Sequence, residues 1–92
     1  MFTKPFPTAL EFLQAKSMRL KREFDHGVSL KAEHYSEQDL INLYSETCRN
    51  HWDEYVGEAH DYYGRLEIRA AIKSIKSNDE NYKHWNRAKV NA

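Results

Sequence analysis

Residues 36–63 read SEQDLINLYSETCRNHWDEYVGEAHDYY, and the spacing of their apolar side chains decides the fold class. Ile41, Tyr44, Cys48, Trp52, Tyr55, Ala59 and Tyr62 recur at three- and four-residue steps. That spacing lines them along one face of an α-helix for about six turns. Leu40 and Leu43 widen the stripe at its start. Ser36-Glu37-Gln38-Asp39 is the start signal, a capping sequence with aspartate in the place usually held by glutamate. Gly57 falls inside the pattern at a cost of about 1 kcal/mol relative to alanine, so a kink or a close backbone contact is expected there.

Upstream, Thr8-Ala9-Leu10-Glu11 reads as a full capping box, followed by Leu10, Leu13, Ser17, Leu20 and Phe24 on one helical face. Asp25-His26-Gly27 is expected to end this first helix, with Gly27 in the left-handed conformation that follows many helix C-termini. A loop is then expected over residues 28–35. Pro5 and Pro7 around Phe6 make residues 1–7 an expected extended arm, because proline fixes its own backbone and pushes the preceding residue out of the helical region.

Downstream, Ile68, Ala71, Ile72 and Ile75 are again helical in spacing but do not continue the long stripe, so a break near Gly64 fits better than one continuous helix contacting different partners on two faces. Ser77-Asn78-Asp79-Glu80 opens a short last helix carrying Tyr82, Trp85 and Ala88. Nothing alternates with period two between turn signals, so no strand is expected. The fold class is therefore all-α: one domain over residues 1–92, a small bundle of three to four helices at about 8–25, 36–63, 65–76 and 78–90.

Composition narrows the function. Leu, Ile, Val and Phe together are only 18 of 92 residues. That is close to the roughly 20% below which a highly charged chain stays disordered. Zero net charge, six Tyr and two Trp argue for a folded chain with a thin core, completed by a partner. No apolar run approaches the roughly 20 residues of a membrane-spanning helix, and residues 1–5 hold no apolar signal segment, so no membrane partner and a cytoplasmic location are expected. The lone Cys48 excludes an intramolecular disulfide and a Cys-pair zinc site. Three Gly and two Pro leave no Gly-rich phosphate loop and no proline-rich tract.

Charge is divided by segment. Residues 1–31 carry six basic and three acidic side chains, residues 33–61 one basic and eight acidic, and residues 62–92 seven basic and three acidic. Either the acidic long helix packs between basic neighbours, its rim charges paired, or the opposed surfaces face outward to partners.

Three candidate sites follow. Arg65, Arg69, Lys73 and Lys76 stand at i, i+4, i+8 and i+11, a cationic stripe able to track a phosphate backbone; the acidic middle segment opposes a polyanion. His51, Glu54 and Glu58 share one arc of the long helix and are the candidate metal donors, with no matching set on a second helix. Cys48, between Tyr44 and Trp52, reads as a small buried hydrophobe, and no serine sits in a nucleophile elbow. Among the aromatics, Tyr44, Trp52, Tyr55 and Tyr62 are assigned to the core. Phe6, Phe12, Tyr63 and Trp85, with Arg19, are assigned to an exposed protein-docking surface.

The resulting expectation is a non-enzymatic helical module, an adaptor, inhibitor or regulator that acts by binding a larger partner and uses no cofactor. A homodimer through the aromatic long helix satisfies the same facts. The competing expectations are a nucleic-acid-binding regulator using the basic stripe and a metal-dependent enzyme at His51, Glu54 and Glu58.

Overall fold

The first helix, α1 (Ala9–Lys31), starts where the capping box places it: the Thr8 hydroxyl accepts the Glu11 N–H at 3.1 Å, and the Glu11 carboxylate accepts the Thr8 N–H at 2.8 Å. This computed structural model describes residues 7–87, in which four helices and no strand occur. The extended arm, Phe6 included, falls outside the described residues except for Pro7. α1 runs six residues past its expected end at Asp25. Gly27 is buried within the helix and has no left-handed φ, so it does not terminate it.

The reason Gly27 is a glycine lies across the helix interface. A Cβ at that position would stand 2.7 Å from Cζ and 2.8 Å from Cδ1 of the Tyr44 ring, closer than carbon atoms tolerate. Gly27→Ala is expected to lower stability by about 1 kcal/mol, an overpacking penalty partly offset by alanine's better helix propensity. In a Tyr44→Ala background the clash is gone, and the same substitution is expected to stabilise by up to about 1 kcal/mol. Urea denaturation of the four proteins reads the change of sign; a Gly27→Ala effect equal in both backgrounds would exclude the contact.

The second helix, α2 (Glu37–Ala59), is capped by Ser36, whose hydroxyl accepts the Asp39 N–H at 3.2 Å. It stops earlier than the apolar stripe, because both Tyr62 and Tyr63 turn their N–H groups back to the Ala59 carbonyl. Tyr62 is therefore 58% exposed rather than a core residue. Leu43, at the other end of the stripe, is also exposed. Gly57 has open space where a side chain would stand, so no close approach explains it.

The break at Gly64 occurs as expected: this residue is the extended N-cap of α3 (Arg65–Asn78). The last start signal lies two residues beyond Ser77. Asp79 ends α3 and caps α4 (Glu80–Trp85), its carboxylate accepting the Tyr82 N–H at 2.8 Å. α4 is six residues long, shorter than the expected 78–90, and residues 88–92 lie outside the described part.

α1 is the element on which the other three helices pack, while α2 and α3 barely approach each other. Its Leu13, Ser17, Leu20 and Phe24 are buried against Cys48, Trp52 and Ala59 of α2, Ile68, Ala71 and Ile75 of α3, and Tyr82 and Trp85 of α4. α1 and α2 form an antiparallel hairpin. Gly27 meets Tyr44, the Leu20 carbonyl meets the Cys48 thiol at 3.6 Å, Lys16 lies over Tyr55, and Phe12 meets the Tyr62 ring. The start of α1 is tied to the α2–α3 connection: Tyr63 donates its hydroxyl hydrogen to the Pro7 carbonyl at 2.6 Å, and the Ala9 N–H bonds the Glu67 carboxylate.

α4 is held to α2 by an aromatic cluster and to α1 by a charged latch. Trp85 is fully buried, with ring centroids 4.8 Å from Tyr82 and 5.8 Å from Trp52. His84 reaches Asp25 at 2.6 Å and lies edge-on to Phe24, while Lys21 pairs with the same carboxylate at 2.8 Å. Burial by itself raises the Asp25 pKa, but the hydrogen bonds and charges of Lys21 and His84 outweigh it and hold the carboxyl below its ordinary 3.8. A depressed carboxyl pKa means that the folded chain binds fewer protons than the unfolded chain near that pH. The contribution is present above the unfolded value and is lost as pH falls through the folded one. Asp25→Asn is thus expected to destabilise at pH 6 and to converge with the parent below about pH 3 in thermal melts. A constant difference across that range would show that the carboxylate's charge plays no part.

Candidate docking surfaces

The structure separates the residues singled out in the sequence into four places. Phe12 and Tyr63 lie together at the open end of the α1–α2 hairpin, their rings 5.8 Å apart, and line a pocket of about 210 Å³ with Pro7, Glu58 and Tyr62. Both are half-buried, and Lys16 sits 5.0 Å over the Phe12 ring. Burial, with Glu67, Glu11 and Tyr62 nearby, pushes the Tyr63 hydroxyl pKa up. Arg19 is exposed on the same flank of α1 and pairs weakly with Glu23 at 3.8 Å.

Trp85 is not on this surface or any other. The expectation that it is exposed is corrected by its complete burial: a six-residue helix docks its one apolar side inward, and Trp85 supplies most of that side. Its indole N–H donates to the Ser17 hydroxyl at 3.2 Å, which satisfies the only polar atom of the ring.

At the other end of the hairpin, beyond the reach of α4, the last turns of α1 pack on α2 alone. Leu30 is 65% exposed there, and the nearby Tyr35 and Leu43 are also exposed. Leu30, Gly27, Tyr44, Cys48 and His51 line a cleft of about 330 Å³. Burial, and then the neighbouring Glu23 carboxylate, pushes the Cys48 thiol up to about 11. It therefore carries its proton at neutral pH and is not an activated nucleophile.

The candidate metal donors do not gather. His51 is half-buried against α1, whereas Glu54 and Glu58 are exposed. Among the described residues no three His, Cys, Asp or Glu side chains converge to hold a metal ion. Sharing one arc of a helix sets two donors near each other but does not close a coordination shell.

The basic stripe is where the spacing put it. Arg65, Arg69, Lys73 and Lys76 are all exposed on α3, and none of them forms an ion pair or side-chain hydrogen bond among the described residues. The ion pairs seen there join Arg19 to Glu23, Lys21 to Asp25, Lys83 to Glu80 and His84 to Asp25. No α2 side chain takes part in any of them. The acidic helix and the basic helix thus do not neutralise one another inside the fold.

Lys76 and Ile72 also face the gap that α2 and α3 leave between them. With Arg49, Trp52, Val56 and Tyr82 they line a cleft of about 360 Å³. Asp53 is the one carboxylate in its wall. Burial raises the Tyr82 hydroxyl pKa, with Arg49 opposing and Asp53 reinforcing that shift, so both charges act on the cleft's inner wall.

No described helix is long and apolar enough to cross a membrane. Compared with known proteins, the chain matches no family model, no curated protein and no solved structure.

Proposed function

We propose that the chain is a non-enzymatic protein–protein interaction module, an adaptor, inhibitor or regulator that acts by occupying a surface of a larger partner. The observation that carries this reading is the unneutralised charge division. The acids of α2 and the cations of α3 are presented outward without ion-pair partners among the described residues, the arrangement that steers encounter and selects among partners. Large exposed side chains, Leu30, Tyr35, Leu43 and Tyr62, supply apolar area for such contacts.

The test is recovery of a tagged chain from native host lysate after nuclease treatment, with bound proteins weighed against bait. One protein recovered in a fixed ratio to the bait supports the module, whether it dissociates in salt or not. A monomer that retains no protein in fixed ratio overturns it.

The free cations of α3 favour one further reading, binding of nucleic acid along that face. It requires affinity that falls steeply between low and moderate salt, in proportion to the number of phosphates contacted.

A further inference from the structure

We infer that the cleft between α2, α3 and α4 is a docking site for an acidic helical segment of a protein partner, which seats one apolar side chain in the cleft and lays its carboxylates along α3. The inference rests on the interaction reading above and names the face and the chemistry of the partner.

Charge complementarity identifies the occupant. Arg65, Arg69, Lys73 and Lys76 mark one side of α3 over about 16 Å, at 1.5 Å rise per residue. A second helix lying alongside meets that row with carboxylates at its own i, i+4, i+8 and i+11 positions, because both helices repeat at the same pitch. Arg49 stands on the facing side of the cleft, so two cations, Arg49 and Lys76, line it beside Asp53, and Arg69, Lys73 and Arg65 continue the row along the exposed face of α3. None of these five cations forms an ion pair or a side-chain hydrogen bond among the described residues, so binding breaks no existing pair. Between the cations, Trp52, Val56, Ile72 and Tyr82 give the cleft an apolar inner wall, which a side chain such as leucine uses and a phosphate backbone does not.

Two other occupants fit less well. A DNA duplex makes no use of the apolar wall that Trp52, Val56, Ile72 and Tyr82 provide. A second copy offers its own acidic α2, but Glu58 lies on the other flank of that helix, and Asp53 stands beside Arg49, which brings a cation towards the cation row.

The experiment uses the full chain and a synthetic helical peptide with four glutamates at the spacing above and one central leucine. Intrinsic tryptophan fluorescence and peptide anisotropy are both followed. The expected result is saturable binding that weakens at least tenfold on replacing the glutamates with glutamine and at least tenfold in Arg69→Glu/Lys73→Glu. Both sites are exposed, and circular dichroism confirms that the variant is folded. A DNA duplex that binds more tightly than the peptide, and loses binding in the same variant, overturns the inference in favour of a phosphate-tracking face. Concentration-dependent sedimentation of the chain alone, abolished by the same variant, overturns it in favour of a second copy. Absence of peptide binding overturns it outright. Failure of the interaction reading is separate: a native complex that survives Arg69→Glu/Lys73→Glu but is lost in Leu30→Glu/Leu43→Glu retains the module and moves the docking site to the hairpin tip.

Discussion

Trp85→Ala is expected to leave the chain largely unfolded near body temperature, the largest single-residue effect in the molecule. Complete burial of the indole means that truncation loses all its transfer free energy and opens a cavity, together about 3–5 kcal/mol for a buried tryptophan. The neighbours cannot close that space cheaply. Trp52 and Tyr82 lean on Trp85 from two sides, and Tyr82 is placed by the Asp79 cap at the start of the same short helix. A six-residue helix has no intrinsic stability in water, so it persists only through this docking. For a domain of this size, a loss of 3–5 kcal/mol shifts the melting midpoint by roughly 12–40 °C. Circular dichroism melts of Trp85→Ala and the gentler Trp85→Phe measure it. A Trp85→Ala melt within a few degrees of the parent would mean that α4 does not dock on α1 in solution.

The burial of Trp85 also marks where the sequence stops being readable. Helix starts at Thr8 and Ser36 were legible because a cap is a local device, completed within three residues of itself, and the break at Gly64 because the apolar stripe changes face there. The side chains of α4 offered no such signal. In a single turn and a half, Tyr82 and Trp85 define no periodic face, and only the remote Trp52 and Ser17 show which way they point. Gly27 misled for the same reason: a glycine near a helix end serves either a left-handed turn or a close approach, and the approaching ring, Tyr44, is 17 residues away. Tyr62 shows the converse error, a periodic stripe that outlasts the helix carrying it. Charge division by segment was plain in the sequence. Whether the acids of α2 pair with the cations of α3 was not, because pairing depends on how two helices sit side by side, and here they hardly meet.

Ser17→Ala is expected to cost about 2 kcal/mol even though it removes only one oxygen atom. The Ser17 hydroxyl is fully buried in the middle of α1 and serves two partners. It accepts the Trp85 indole N–H at 3.2 Å and donates to the Asp79 carboxylate at 3.2 Å. Asp79 keeps the Tyr82 N–H when serine is lost, whereas the indole N–H is left buried without an acceptor. Leaving a buried donor unsatisfied costs about 1–3 kcal/mol, more than the few tenths that alanine returns through helix propensity. The asymmetry gives a sharp test. In a Trp85→Phe background no indole donor remains, so Ser17→Ala is expected to be nearly neutral there. A urea-denaturation cycle over the four proteins then shows a coupling of at least about 1 kcal/mol between positions 17 and 85. Equal costs in both backgrounds would show that the serine acts only through Asp79, and that apolar packing alone seats the tryptophan.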